Sequence, residues 1–145
     1  MLHSHRFYIS WLASALLMYI AFYMWHGVFL TDLSQIKFSK SLFLILVAFV
    51  YLVISYALYR VYELKILDKY FSSALLRGLT AGFMVGFVLF AIVAVLGISF
   101  TKHINTTYLI ADCLWQLVEQ IIGGVAIGFG KLFIFEPQHE LNHAD

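Results

Sequence analysis

A single cysteine, Cys113, and a single proline, Pro137, occur in 145 residues. One cysteine excludes an internal disulfide framework, a paired-cysteine redox site and a zinc knuckle, each of which needs at least two. Charge is scarce as well: 12% of the residues are Asp, Glu, Lys or Arg, about half the usual quarter. The net charge is +1 and no Lys/Arg cluster supplies a phosphate-tracking stripe, so no nucleic-acid partner is expected. Disorder is excluded by the aromatic residues, 18% of the chain, because disordered segments are poor in aromatics and rich in charge. What the chain does have is apolar side chains, 63% of the total, against about 45–50% in an ordinary soluble domain. A soluble fold of this size buries only about two-thirds of its chain surface and cannot hide so many. The solvent that fits is a lipid bilayer.

A spanning helix needs about 20 apolar residues, since ~30 Å of hydrocarbon is crossed at 1.5 Å per residue. Four stretches qualify, approximately 7–31, 41–62, 76–100 and 108–135. They make one transmembrane domain, an all-α, antiparallel four-helix bundle in the membrane, with a polar C-terminal tail over 137–145. The first stretch is far longer than the 7–15 residues of a signal-peptide core, and no small-x-small site follows it. It reads as a retained helix. Pro137 lacks a donor and restricts the residue before it, so the fourth helix is expected to end at or just before Glu136.

The fourth stretch alone carries acids, Asp112 and Glu119. A charged acid near the bilayer centre costs about 2.5–3.5 kcal/mol on the insertion scale. Twelve Leu, Ile, Val and Phe residues between Cys113 and Phe135 return roughly 4–7 kcal/mol. Insertion wins, and four spans is the count.

Basic residues give the direction. Arg6, Arg60, Lys65, Lys69, Arg77 and Lys131 lie on the side of the termini, and Lys37, Lys40 and Lys102 on the other. Six against three places both termini in the cytoplasm by the positive-inside rule, with a bacterial inner (plasma) membrane as the expected location.

All nine glycines fall inside the expected helices. In lipid this usually marks close helix contact. Gly78, Gly82 and Gly86 repeat every four residues on the third helix, and Gly124 and Gly128 do so on the fourth. The favoured reading is tight packing of helices three and four within one chain. The alternative is a face for a homo-oligomer or a larger membrane complex. On the second helix Tyr51, Ser55, Tyr59 and Tyr62 share one face, where hydroxyls serve neighbouring helices more readily than a hydrated path.

The residues able to carry chemistry gather on the fourth helix. Asp112, Gln116, Glu119 and Gly123 step by three or four along one stripe, from the outer boundary towards mid-membrane. His26, near the outer end of helix one, is expected at the depth of Asp112. His26, Asp112, Gln116 and Glu119 therefore form a candidate polar pocket, suited to proton or cation chemistry because intramembrane ionisable groups are functional candidates by default. Mutual satisfaction of these groups, holding helices one and four in register, is the competing reading. A haem would need ligands facing each other across the bundle, and His26 has only His103, in a polar loop. No cofactor is expected.

The tail reads His139-Glu140-Leu141-Asn142-His143, an H-E-x-x-H spacing that on a helix would present two zinc ligands and a general base. Only Ala144 and Asp145 follow it, so no helix is expected to continue to a downstream third ligand. His139, Glu140 and His143 are thus a weak metal candidate in a solvated tail, and no catalytic residue is assigned. Three functions rank in order: a non-enzymatic accessory or scaffold protein; a small proton- or cation-linked transporter or channel-like protein using the His26/Asp112/Gln116/Glu119 pocket; and, remotely, a metal-dependent membrane enzyme.

Overall fold

A computed structural model describes residues 5–35, 37–100 and 106–134. It is an all-helical bundle with four helices long and apolar enough to cross a membrane. Helix α1 runs over His5–Phe22 and continues as a π-helical stretch, Tyr23–Phe29. Helix α2 is Lys40–Tyr62, α3 is Ala74–Phe100 and α4 is Thr106–Phe133. Short helices at Asp32–Gln35 and Lys65–Tyr70 sit in the connections. The expected spans agree with these helices to within two residues at most ends. The fourth helix finishes at Phe133, and Pro137 and the tail, with His139, Glu140 and His143, lie outside the described residues, as does His103.

Long helices follow from the solvent. Hydrocarbon offers no partner to a backbone N–H or C=O, so each span must satisfy its own. The first span is released at Thr31, whose φ of 55° reverses the chain. Ser34 closes that turn with both its backbone N–H and its hydroxyl on the Thr31 carbonyl, at 2.9 and 2.6 Å.

The interior is unusually polar and the exterior apolar. Ser10, Ser14, Ser55, Glu119 and Gln120 are buried beside Met18, Leu58, Ile127 and the tyrosines Tyr51, Tyr59 and Tyr62. Leucine, isoleucine, valine and phenylalanine line the outward faces of all four helices. In water this arrangement would be costly; in lipid it is the stable one, because acyl chains take the apolar faces and helices take the polar ones.

The helices form a ring in the order α2, α1, α4, α3, with α3–α4 the most extensive contact. Along that seam a Cβ on Gly82 would come within 2.7 Å of the Ile121 Cα, and one on Gly128 within 2.7 Å of the Ala74 carbonyl oxygen. Gly78 meets the Gly124 backbone, and Gly86 approaches Gln116 and Leu117. The partner's number falls by four as the seam position rises by four, so α3 and α4 are antiparallel. Between α1 and α4, Gly123 receives Met18 and Ser14, and Gly130 receives Ser10. The α1–α2 edge is tied twice at one point: Trp11 Nε1 donates to the Leu52 carbonyl at 2.8 Å, and Ser55 Oγ donates to the Trp11 carbonyl at 2.7 Å. Phe7 stacks on Trp11 and meets Tyr59 edge-on, closing the same edge at its lower end.

Candidate functional site around Glu119

Glu119 lies in the middle of α4, 2% exposed, where the helix turns its polar stripe into the bundle. Both of its carboxylate oxygens are occupied. The Tyr51 hydroxyl donates to Oε2 at 2.6 Å across the bundle from α2, and Trp115 Nε1, one turn earlier on α4, donates to Oε1 at 2.7 Å. Both donors are neutral, and each carboxylate oxygen is met by a hydrogen bond. Hydrogen bonds to an ionised carboxylate are short and roughly twice as strong as neutral ones.

The π-helical end of α1 roofs the site. Widening the turn brings Trp25 flat against Trp115, with ring centroids 4.4 Å apart and planes 13° from parallel. The Trp115 indole is thereby held between a stacked ring and the carboxylate. Phe22, the last α-helical residue before the widened turn, packs its ring 5.8 Å from Tyr51 and 4.7 Å from the His26 imidazole. His26 is half-buried and within electrostatic reach of Glu119. Irregular π turns of this kind occur frequently at functional sites.

The four expected pocket residues are thus distributed unequally. Glu119 is the buried centre and His26 approaches it. Gln116 is half-buried, with its main-chain carbonyl at the Gly86 contact. Asp112, two turns before Glu119 and about 10 Å away along the axis, is exposed. The strongest partners of Glu119, Tyr51 and Trp115, are not among the four. A signal for each was present: Trp115 stands four residues before Glu119, the spacing that brings helix side chains together, and Tyr51 belongs to the tyrosine face, all four members of which are buried. Gln120, fully buried beside Glu119, has neither its amide nitrogen nor its oxygen hydrogen-bonded among the described residues.

Among the described residues no three His, Cys, Asp or Glu side chains converge as a metal site would require. Glu119 lines neither of two clefts between α1 and α2. One is an apolar groove between α1 and α2 around Leu12, Leu16, Leu44 and Ile45, and the other is a smaller hollow around Tyr23, Gly27 and Lys40. Comparison with protein-family models, with curated proteins and with solved structures finds no match.

Proposed function

We propose that this small membrane protein is a non-enzymatic accessory or scaffold protein, with Glu119 acting as a structural clamp. The observation that carries this reading is the double occupancy of the carboxylate: Tyr51 takes Oε2 and Trp115 takes Oε1. A carrier of protons or cations must exchange with water, whereas this buried acid is held by the Trp115 indole and the Tyr51 phenol, behind which Trp25 and Phe22 are packed. The glycine faces of α3 and α4 are used up against each other, so a partner, whether a second copy or a larger membrane complex, meets the outer apolar faces. The membrane is taken to be a bacterial inner (plasma) membrane with both termini in the cytoplasm, on the excess of Lys and Arg at that end.

A second reading, a small proton- or cation-linked transporter working through His26, Asp112, Gln116 and Glu119, is favoured by one observation. The π-helical stretch brings an imidazole into electrostatic reach of a buried carboxylate. Liposomes separate the two. Under an imposed pH gradient the scaffold reading expects proton and cation flux at the level of protein-free vesicles, for wild type and for Glu119→Gln alike. Flux in the wild type that disappears in a normally folded Glu119→Gln protein establishes the transporter instead.

A further inference from the structure

At the opposite end of the bundle from the Glu119 roof lies a cleft of about 430 Å³, within the range of about 300–1,000 Å³ typical of small-ligand sites. Its ionisable lining comes from five segments: Arg6 at the start of α1, Glu63 just after α2, Lys65 and Asp68 on the connecting helix, Arg77 near the start of α3 and Lys131 near the end of α4. Cations outnumber acids there by four to two. Each acid is already committed. Lys131 Nζ donates to Glu63 Oε1 at 2.8 Å, and Arg77 pairs with Asp68. Arg6 and Lys65 have no ion-pair partner among the described residues, which leaves the cleft a surplus of positive charge.

The guanidinium groups are also short of acceptors. Among the described residues, the buried Nε atoms of Arg6 and Arg77 have no hydrogen-bond partner, and a buried N–H left unpaired is costly. The Arg77 guanidinium lies over the Tyr62 ring at 5.2 Å and Lys131 Nζ over the Tyr59 ring at 4.8 Å, so aromatic faces fix the positions of two of the cations. An acceptor with several oxygens and negative charge completes such a set; a phosphate has the right geometry for guanidinium forks.

The cleft sits at the ends of the spans, which is headgroup depth. Its floor helix, Lys65–Tyr70, buries Leu67 and exposes Ile66 and Tyr70 one turn apart, as a helix lying along a membrane interface does. We propose that this cleft binds the phosphate of an anionic phospholipid headgroup, with Arg6 and Arg77 donating to the phosphate oxygens and Lys65 adding charge. Basic pockets between spanning helices are a known way of holding such headgroups. The assignment is independent of the scaffold reading, because no flux measurement enters its test.

The test is lipid retention by the full-length protein in a neutral detergent, read by native mass spectrometry. Phosphatidylglycerol and phosphatidylcholine with identical acyl chains are offered together. The expected result is preferential retention of phosphatidylglycerol, reduced about fivefold by Arg6→Gln and again by Lys65→Gln, the ratio for one basic residue at a charged surface, and unchanged by Lys37→Gln at the far end. Lys65 is exposed, so its variant keeps the test decisive if Arg6→Gln folds poorly. Millimolar inorganic phosphate should fail to displace the lipid. Displacement, together with thermal protection by phosphate in the absence of lipid, overturns the lipid assignment in favour of a soluble phosphate ligand. Equal retention of the two lipids, or retention that survives both variants, overturns the site itself.

Discussion

Tyr51 and Glu119 are hydrogen-bonded across a sequence separation of 68 residues, and the ion pair between Glu63 and Lys131 repeats that separation twelve residues further along each helix. A constant offset over ~18 Å of helix means that α2 and α4 run parallel with no relative slip. They are diagonal partners in the ring, so the two ties brace the bundle across its centre, one deep in the bilayer and one at its edge. The acid changes sides between them: it is on α4 at the deep tie and at the residue that caps α2 at the shallow one. The two ties differ sharply in surroundings, since Glu119 is buried and the Glu63 side chain is 39% exposed.

That difference sets the first prediction. Tyr51→Phe removes one hydroxyl and leaves Oε2 of a buried carboxylate without its donor. Side-chain hydrogen bonds between membrane helices average about 0.6 kcal/mol with a maximum near 1.7, and an acceptor left buried and unpaired costs about 1–3 kcal/mol. A loss of about 1.5 kcal/mol is expected, read as a lower unfolding midpoint in detergent. Glu63→Gln breaks the exposed tie and should cost under about 1 kcal/mol, as solvent-facing ion pairs do. Equal losses at the two sites would mean that water reaches Glu119.

Much of this arrangement is legible in the sequence. Helix count, approximate span limits and the all-α bundle follow from runs of apolar residues, because hydrocarbon leaves the backbone no alternative to helix. The face shared by Tyr51, Ser55, Tyr59 and Tyr62 was visible from spacing alone, and it is a buried face. The partner of Tyr51 was not visible, because spacing within one helix says nothing of the rotation of the helix opposite. The π-helical stretch escaped for a similar reason. Nothing in Tyr23-Met24-Trp25-His26-Gly27-Val28-Phe29 breaks an α-helix, and the wider turn goes with the Trp25–Trp115 stack, which is a tertiary contact. Asp112 shares a stripe with Glu119 by periodicity, and two turns of axial rise separate the exposed acid at the helix's outer end from the buried one.

A second prediction concerns the α3–α4 seam. At Gly82 even a methyl group would meet backbone atoms, the Ile121 Cα and the Gln120 carbonyl carbon at 2.7 and 2.8 Å. Backbone cannot swing aside as a side chain can, so the helices must separate. Gly82→Ala is expected to cost about 1–3 kcal/mol and Gly82→Leu more, while Met84→Leu, on the exposed side of the same helix, should stay within about 0.5 kcal/mol. Thermal unfolding of the three variants in one detergent makes the comparison. If Gly82→Leu were as well tolerated as Met84→Leu, the two helices would not pack through this face in the bilayer.

The last prediction is the direction of insertion. Four spans put both chain ends on one side, and the parallel run of α2 and α4 requires the connections on either side of α3 to lie at opposite ends of the bundle. Glu63, Lys65, Asp68, Arg77 and Lys131 cluster at the end where α2 and α4 finish. Six of the nine Lys and Arg residues belong to that side, and basic residues within short connections are retained in the cytoplasm. A reporter fused after Asp145 should therefore be active only in the cytoplasm, and the same reporter inserted between residues 32 and 40 only outside it. Activity of both fusions on one side would remove a span from the bundle. Both reporters appearing on the unexpected sides would leave the four helices standing but invert them, moving the basic cleft to the outer leaflet and the Trp25–Trp115 roof to the inner one.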